Sequence, residues 1–523
     1  MALLRSVATV GGFTFGSRVL GFVRDVLVAM VLGAGPVADA FFIAFRFPNM
    51  FRSLAAEGAF SVAFVPMFAN RLAGEGRAAA IAFAERALAL MVLVLAGFTI
   101  IFMAAMPWLM YAIAPGFAVT PSKFDLAIQL TRITFPYLLF ISLVSLLGGV
   151  LNSLGRFAPM AAAPMLLNVC LIGALFVLAP LTVTPGHALS WGVAVAGIGE
   201  FLWLIWACRA AGVELRLPRP RLSPDMKLLL KRMLPAAVGA GVIQLNLFFS
   251  SILASLLPDG AVSYLAYADR VNQLPLGVIG AAIGTALLPL LATQLRTGAD
   301  AAAMASQNRA LEFALLMTVP AAAALVALAD PIIVVLFERG AFGPKEAAAT
   351  GIALAAYATG LPAYVMVKVF APGFFAREDT ATPVRIAIWS VIANVLLNLA
   401  LMPLLGHVGL ALGTSMAAWL NAGLLAWVLH RRGLLVFDAR LRQRVPRLLV
   451  ATAAMLAAIV PSGHGLAGYL AGSTVHRIAA LAALILLGLL VFAFVAQLVG
   501  AARLAELGRM LKRSERPEQA SPR

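Results

Sequence analysis

Apolar runs of about 20 residues, the length that spans a bilayer as a helix, follow one another from end to end of the chain. Short stretches with charge, proline or glycine close each run. Fourteen spans fit, near 7–33, 36–70, 84–110, 127–152, 160–181, 189–210, 229–256, 263–295, 310–336, 348–374, 384–403, 408–430, 445–462 and 476–502. A membrane β-barrel would instead show short segments of alternating hydrophobicity. The pattern therefore predicts an all-α polytopic membrane protein. The second and eighth spans are long and contain proline and glycine, so they are expected to bend.

Polar positions interrupt the first two spans. Between Gly11 and Pro66 stand Arg18, Arg24, Asp25, Asp39, Arg46, Arg52 and Glu57. A charge near the bilayer centre costs roughly 2.5–3.5 kcal/mol on insertion scales, so these groups point away from lipid, into a water-filled cavity. On a helix Ser17, Gly21 and Arg24 share one stripe, with Arg18 and Asp25 on the next. Asp39, Arg46, Asn49, Ser53 and Glu57 share a face if the second span is regular. Pro48 bends it and leaves the phase of Arg52 open. The blander reading is that these arginines snorkel to headgroups, which suits Arg46 and Arg52 better than Arg18 and Arg24, flanked on both sides by apolar sequence. Later, Asp269 and Arg270 fall in the eighth span beside Asn272 and Gln273, and Lys368 in the tenth, within VMVKVFAPGFF. Asn246, Asn394, Asn398 and Ser415 read as interhelical hydrogen-bonding points.

The chain repeats itself. At one offset of 223 residues, Asn49 meets Asn272, Pro66 meets Pro289 and Arg86 meets Arg309. Pro136, Pro159, Asn168 and His187 meet Pro362, Pro383, Asn394 and His407 at offsets of 220 to 226. Six spans make the unit, and an even number preserves orientation, so the repeats are parallel. The expected domains are 1–217, a six-helix lobe; 218–435, a second one; 436–505, two extra C-terminal helices; and 506–523, a basic tail. Substrate sites in such proteins lie at the interface of the repeats.

Composition agrees: 62% of the 523 residues are hydrophobic and mean hydropathy is +0.98. The formal charge of +17 would suggest nucleic acid in a soluble protein. Here it sits in loops. Residues 209–232 hold seven Lys/Arg against two acids, and 431–447 hold six Arg against Asp438, while 34–37, 180–190, 258–262 and 403–408 are short or nearly uncharged. The positive-inside rule then puts both termini in the cytoplasm, and the apolar N-terminus reads as a retained span. No P-loop or HExxH occurs, nothing resembles a catalytic triad, and Cys170 and Cys208 have no metal or redox spacing. The expectation is a transporter with no catalytic residues, cofactor or metal.

The segments SRVLGFVRDVLVA, ADAFFIAFRFPNMFRSLAAEGAFSVAFVP, ADRVNQLPLGVIGAAIGTALLP and FFAREDTATPV resemble the MurJ (MviN) family of lipid II flippases, in the multidrug/oligosaccharidyl-lipid/polysaccharide exporter superfamily. The resemblance implies fourteen helices, two six-helix lobes and a lateral groove for a lipid tail walled by the last two helices. It also implies a bacterial cytoplasmic-membrane protein that carries undecaprenyl-diphosphate-linked disaccharide-pentapeptide outward for peptidoglycan synthesis, with cell-wall synthesis proteins as possible partners. The family's cavity arginines match Arg18, Arg24, Arg52 and Arg270. Asp39 and Lys368 also match family positions, and Ser17, Asp25 and Glu57 match gate contacts. Some members place an acid of a sodium site in the seventh span. Here MLPAAVGAGVIQLNLFFSSILASLL has none, which argues against sodium coupling. Two other classes compete: a cation-coupled drug or polysaccharide-lipid exporter, which would favour cavity acids and aromatics, and a membrane scaffold, which has no need of buried charge.

Overall fold

The computed structural model describes residues 2–53 and 60–502. Its described elements are helical apart from one isolated bridge between Arg339 and Phe342. Helices satisfy every backbone group within one segment, as the interior of a bilayer requires. The chain forms two compact units: Met1–Ala266 with Phe337–Glu346, and Tyr267–Leu336 with Ala347–Arg523.

The first unit contains α1 (Ala2–Leu32), α2 (Pro36–Phe51), α3 (Ser61–Gly74), α4 (Arg77–Ala104), α5 (Met106–Ile113), α6 (Pro121–Thr134), α7 (Tyr137–Ser153), α8 (Ala158–Val177), α9 (Pro185–Ala210) and α10 (Pro224–Ser255). Then α11 (Ala261–Arg296) begins in the first unit and continues in the second. The second holds α12 (Asp300–Ala327), most of α13 (Ala329–Phe337) and of α14 (Pro344–Ala358), α15 (Leu361–Phe375), α16 (Ala381–Leu405), α17 (His407–Arg431), α18 (Ala439–Gly465), α19 (Ala467–Leu470) and α20 (Thr474–Leu498). By length and composition, eleven helical stretches of the described residues can cross a membrane. The other three expected spans are occupied by α1, by α2 with α3, and by α10. Several spans are two helices in series: the fourth breaks at Phe135–Pro136 and the tenth at Thr359–Gly360. The eighth, despite Pro275 and Pro289, is a single helix of 36 residues.

Phenylalanines fill much of the first unit. Phe47 and Phe51 of α2 meet Phe102 of α4 and Phe135, and Phe64 of α3 stacks on Phe83 of α4. Asp225 at the start of α10 accepts from Arg71 of α3 at 2.7 Å and pairs with Arg86 of α4 at 3.4 Å. In the second unit Val365, Phe370 and Phe374 of α15 pack with Leu311 of α12 and Leu425 of α17. There α18 is tied to α12 through Glu312, which accepts from Arg440 at 3.1 Å and also from Arg309 and Arg444.

Six of the described helices end in the same turn, in which the amide just after a residue in the left-handed region reaches back five positions. At the end of α7 Arg156 N–H donates to the Leu151 carbonyl at 2.9 Å, with Gly155 at φ +74°. At the end of α15 Asp379 N–H donates to Phe374 at 3.1 Å, but the left-handed position is Glu378, at φ +63°. Gly212, Gly298, Gly433 and Gly500 hold that position in the other four.

A backbone clasp fixes the end of α1. Ala341 N–H donates to the Met30 carbonyl at 2.8 Å. A Cβ on Gly33 would stand 2.4 Å from the Ala341 carbonyl oxygen, and one on Gly340 would stand 2.3 Å from that of Met30, so only glycine allows the approach.

Candidate functional site: buried charge in the membrane-spanning helices

Arg24 is 8% exposed within α1. Its Nε and Nη2 donate to Asp25 Oδ1 at 3.0 and 2.6 Å, and its Nη1 donates to Asn168 Oδ1 of α8 at 2.9 Å. Asn168 Nδ2 in turn donates to the Ser17 carbonyl at 3.0 Å. Ser17, Arg24 and Asp25 therefore form one cluster, clipped to α8 by a single amide. The guanidinium is aimed by two acceptors, which suits an arginine that must present its remaining donors in fixed directions. Arg18 is exposed and borders, with Ser17, Asn152 and Pro164, a cavity of about 300 Å³.

Asp39 lies in a second cluster. It is 1% exposed and accepts four hydrogen bonds. Gly260 N–H and Lys123 Nζ reach Oδ2 at 2.8 Å each; Ser263 N–H and its hydroxyl reach Oδ1 at 2.9 and 2.6 Å. Two of these are backbone amides at the start of α11, so Asp39 of α2 caps another helix, where a negative charge is favourable. Lys123, 4% exposed, also donates to Asp259 at 2.7 Å, and its ammonium sits 4.1 Å from the Phe117 ring centroid. Every buried charge here has a partner, the condition under which such burial is tolerated.

Further along α2 a cavity of about 250 Å³ is lined by Arg46, Asn49, Arg52, Ser53, Gln244 and Ser251 among others. Arg46 Nη1 donates to Ser251 Oγ at 3.0 Å, Arg52 Nε to Asn49 Oδ1 at 3.0 Å and Gln244 Nε2 to Ser53 Oγ at 2.9 Å. Arg46 is thus bound inside the protein and does not snorkel. Glu57, expected beside these groups, lies outside the described residues.

In the second unit Asp269 accepts from Gln273 one turn on, and Arg270 is exposed. Lys368 lies across Gly280 of α11, where a Cβ would stand 2.7 Å from its Nζ. Asn398 donates to Asn394 at 3.2 Å, Asn394 donates to Thr414 at 3.4 Å, and Ser415 donates to the Ala356 carbonyl at 2.9 Å. Those contacts link α16 to α17 and α17 to α14.

Sequence reasoning missed Lys123 and Glu200 and saw Asn168 only as a repeat position. In PSKFD, Lys123 follows proline and serine at the mouth of a span and looks like a loop charge. The available signal was Asp39, a buried acid that needed a cation.

A family model described as lipid II flippase MurJ matches residues 28–480. The chain belongs to the MurJ family of lipid II flippases. Probable lipid II flippases MurJ from Rhizobium tropici and Rhizobium meliloti are 44% and 45% identical to it, over 100% and 98% of this chain and 98% and 97% of theirs. The lipid II flippase MurJ of Burkholderia cenocepacia is 39% identical over 83% of this chain and 85% of its own. A solved MurJ structure, described as the inward closed conformation, matches with TM-score 0.78 and 25% identity over 94% of this chain and 98% of that one. An inward-facing MATE-family multidrug transporter of the MOP superfamily matches with TM-score 0.69 at 15% identity, over 80% and 94% of the two chains; this likeness is one of fold. Membership of the MurJ family and the run of apolar helices make the chain a multi-pass membrane protein and a transporter, not an enzyme.

Proposed function

We propose that this protein moves lipid II from the inner to the outer leaflet of the bacterial cytoplasmic membrane by alternating access, with both termini in the cytoplasm. Arg18, Arg24 and Arg52 of the first unit and Arg270 of the second supply charge to the diphosphate. Asp39 and Lys368, with Ser17, Asp25 and Glu57, support or gate them, and the polyprenyl tail stays in hydrocarbon against α18 and α20. The observation that carries the reading is Arg24, a guanidinium buried inside a membrane span and aimed by Asp25 and Asn168, in a chain matched over its whole length by lipid II flippases. A drug exporter for organic cations has no use for it. The division into 1–217, 218–435 and 436–505, and a total of fourteen spans, belong to the same reading. The helix-ending turns at Gly155 and Glu378 stand 223 residues apart, and those at Gly212 and Gly433 stand 221 apart, in support of the repeat. Cell-wall synthesis proteins are its natural neighbours, since the product is their substrate.

The test is twofold. Depletion of the protein should trap the lipid-linked precursor in the inner leaflet. Purified protein should bind the lipid-linked diphosphate more tightly than its monophosphate analogue, and each of Arg24→Ala and Arg52→Ala should weaken that binding about tenfold or more, the scale of one charge-assisted hydrogen bond. Equal affinity for both ligands, unchanged in the variants, would remove the arginines from the binding role.

A further inference from the structure

The inner face of α9 carries Val193, Ala196, Gly197, Glu200, Leu204 and Ala207, all buried. Five of these are small or apolar, as the core of a membrane bundle requires. Glu200 is the exception: it is 1% exposed, about midway along the span. Its Oε2 is buried with no hydrogen-bond partner.

The surroundings of this carboxyl are built. A Cβ on Gly197 would stand 2.8 Å from Cδ2 of Tyr137 in α7, so the glycine makes room for the tyrosine ring. One turn further along α9 the Tyr137 hydroxyl donates to the Glu200 carboxyl. Arg52, at the end of α2, acts on Glu200 as a charge at a distance, and Glu200 in turn acts on the Cys170 thiol of α8. Other ionisable groups on the packed elements are engaged elsewhere or point outward. On α6, Lys123 holds Asp39 and Asp259, Asp125 is exposed and Arg132 donates to the Met103 carbonyl. On α1, Arg24 is bound to Asp25 and Asn168, and Arg18 is exposed. Glu57 is outside the described residues.

A carboxylate with one phenolic donor and one remote cation is poorly solvated in so dry a place, whereas the neutral acid is tolerated there. Ionisable groups inside a span are, by default, functional. We propose that Glu200 is a proton-binding site that is linked through Arg52 to the anionic headgroup. When Glu200 is ionised, its charge offsets that of Arg52. When it takes up one proton from water, the carboxyl becomes neutral and the full positive charge of Arg52 faces the diphosphate. Linkage makes this reciprocal: bound diphosphate favours the protonated acid, and its departure favours proton release. The proposal rests on the assignment of Arg52 to the diphosphate above.

The experiment measures binding of lipid II to the purified full-length protein in detergent from about pH 5.5 to about 8.5, the range in which a linked buried acid titrates. The wild type should lose affinity as pH rises, by at most about tenfold per unit for one linked proton. Titration calorimetry in two buffers of different ionisation enthalpy should show uptake of up to one proton per lipid bound. Glu200→Gln keeps the shape and an acceptor for Tyr137 but cannot ionise. It should bind tightly across the range, with no slope assignable to this site and no proton uptake. Tyr137→Phe removes a donor to the ionised form, so its affinity should begin to fall at a higher pH than in the wild type. A purely structural Glu200 predicts the same slope and the same uptake in wild type and Glu200→Gln, and that result overturns the proposal alone. If wild-type protein binds no lipid-linked diphosphate at any pH, the reading of Arg52 falls, and the linkage falls with it.

Discussion

Arg24 and Asp39 are both charges inside spans, and the structure treats them differently. Asp39 is saturated: four donors close on two oxygens, and two of them belong to the backbone. Removing Lys123 leaves a buried carboxylate short of its cation. For such a pair the loss of one partner costs about 3–5 kcal/mol, so Lys123→Met should lower the thermal stability of purified protein markedly. Asp39→Asn should do the same, and the double variant should lose less than the sum, which a double-mutant cycle reads directly. Additive losses would show that Lys123 and Asp39 act separately. At Arg24, Arg24→Lys keeps charge but not the fork that serves Asp25 and Asn168 together, so it should recover little of the lipid binding lost in Arg24→Ala. Charges inside spans were legible in the sequence because apolar neighbours made them conspicuous. Their partners were not: Lys123 sat at a span's mouth, and Glu200, within the expected span 189–210, had no other charge on its helix before Arg209 to mark a cavity. Pairing across 84 or 144 residues leaves no local pattern to read.

At the scale of the helix, the turn that ends α15 departs from its counterparts. Glu378 occupies a left-handed position that glycine takes in the other five turns of this kind. A side chain there costs roughly 1–2 kcal/mol, partly offset by the greater freedom glycine has when unfolded. Glu378→Gly should therefore raise stability by up to about 1 kcal/mol, while Gly155→Ala should lower it by about 1–2 kcal/mol; both are read by thermal denaturation. The next residue stands two positions before the following helix, α16. Asp379 accepts from Thr382 N–H at 2.9 Å, from its hydroxyl at 2.7 Å and from Arg432 at 2.7 Å. These bonds, that of the Thr382 amide foremost, lower its carboxyl from 3.8 to about 2. A depressed acid stabilises the fold at every pH above its unfolded value and loses that contribution as pH falls through the folded one. The stability difference between wild type and Asp379→Asn should then be constant near neutrality and shrink between about pH 4 and pH 2. An unchanged difference at the acid end would dismiss the cap. Within FFAREDTATPV the sequence showed a break between two spans. It could not show that Glu378 replaces a glycine, because backbone handedness is not written in hydropathy.

For the molecule as a whole, hydropathy carried the all-helical, membrane-spanning character. Several helices begin before the expected spans, α12 at Asp300 rather than 310 and α4 at Arg77 rather than 84, and some spans are two helices in series, as at Pro136 and Gly360. Those breaks are turns inside apolar sequence, invisible to a count of polar residues. The loops predict an orientation with 209–232 inside. By loop position alone, Gly186 and Gly260 offer sites for a reporter cysteine on the other face. A Cβ at 186 would press on Val37 and Leu130 at about 3 Å, however, and one at 260 would stand 2.7 Å from Tyr264. Val183, 91% exposed, is the better site. In intact cells Val183→Cys should react with an impermeant thiol reagent and Leu222→Cys should not, in a background without Cys170 and Cys208. The reverse labelling would invert the topology.

The clasp at Gly33 and Gly340 gives α1 a fixed pivot, and the Arg24–Asn168 contact gives it a catch. The pivot is made of backbone and does not depend on any side chain's charge. The catch is one N–H of Nη1, and the guanidinium keeps two further N–H donors beyond those that Asp25 and Asn168 take. Arg24 stands about 13 Å from the pivot and Arg18 about 22 Å, at 1.5 Å per residue of helix. A swing of about 10° would carry Arg24 only about 2 Å but Arg18 about 4 Å. On such a door the inner arginine stays near its post while the outer one sweeps. Gly340→Ala, which forces a methyl against the Met30 carbonyl, should loosen the pivot and abolish flipping while the lipid still binds.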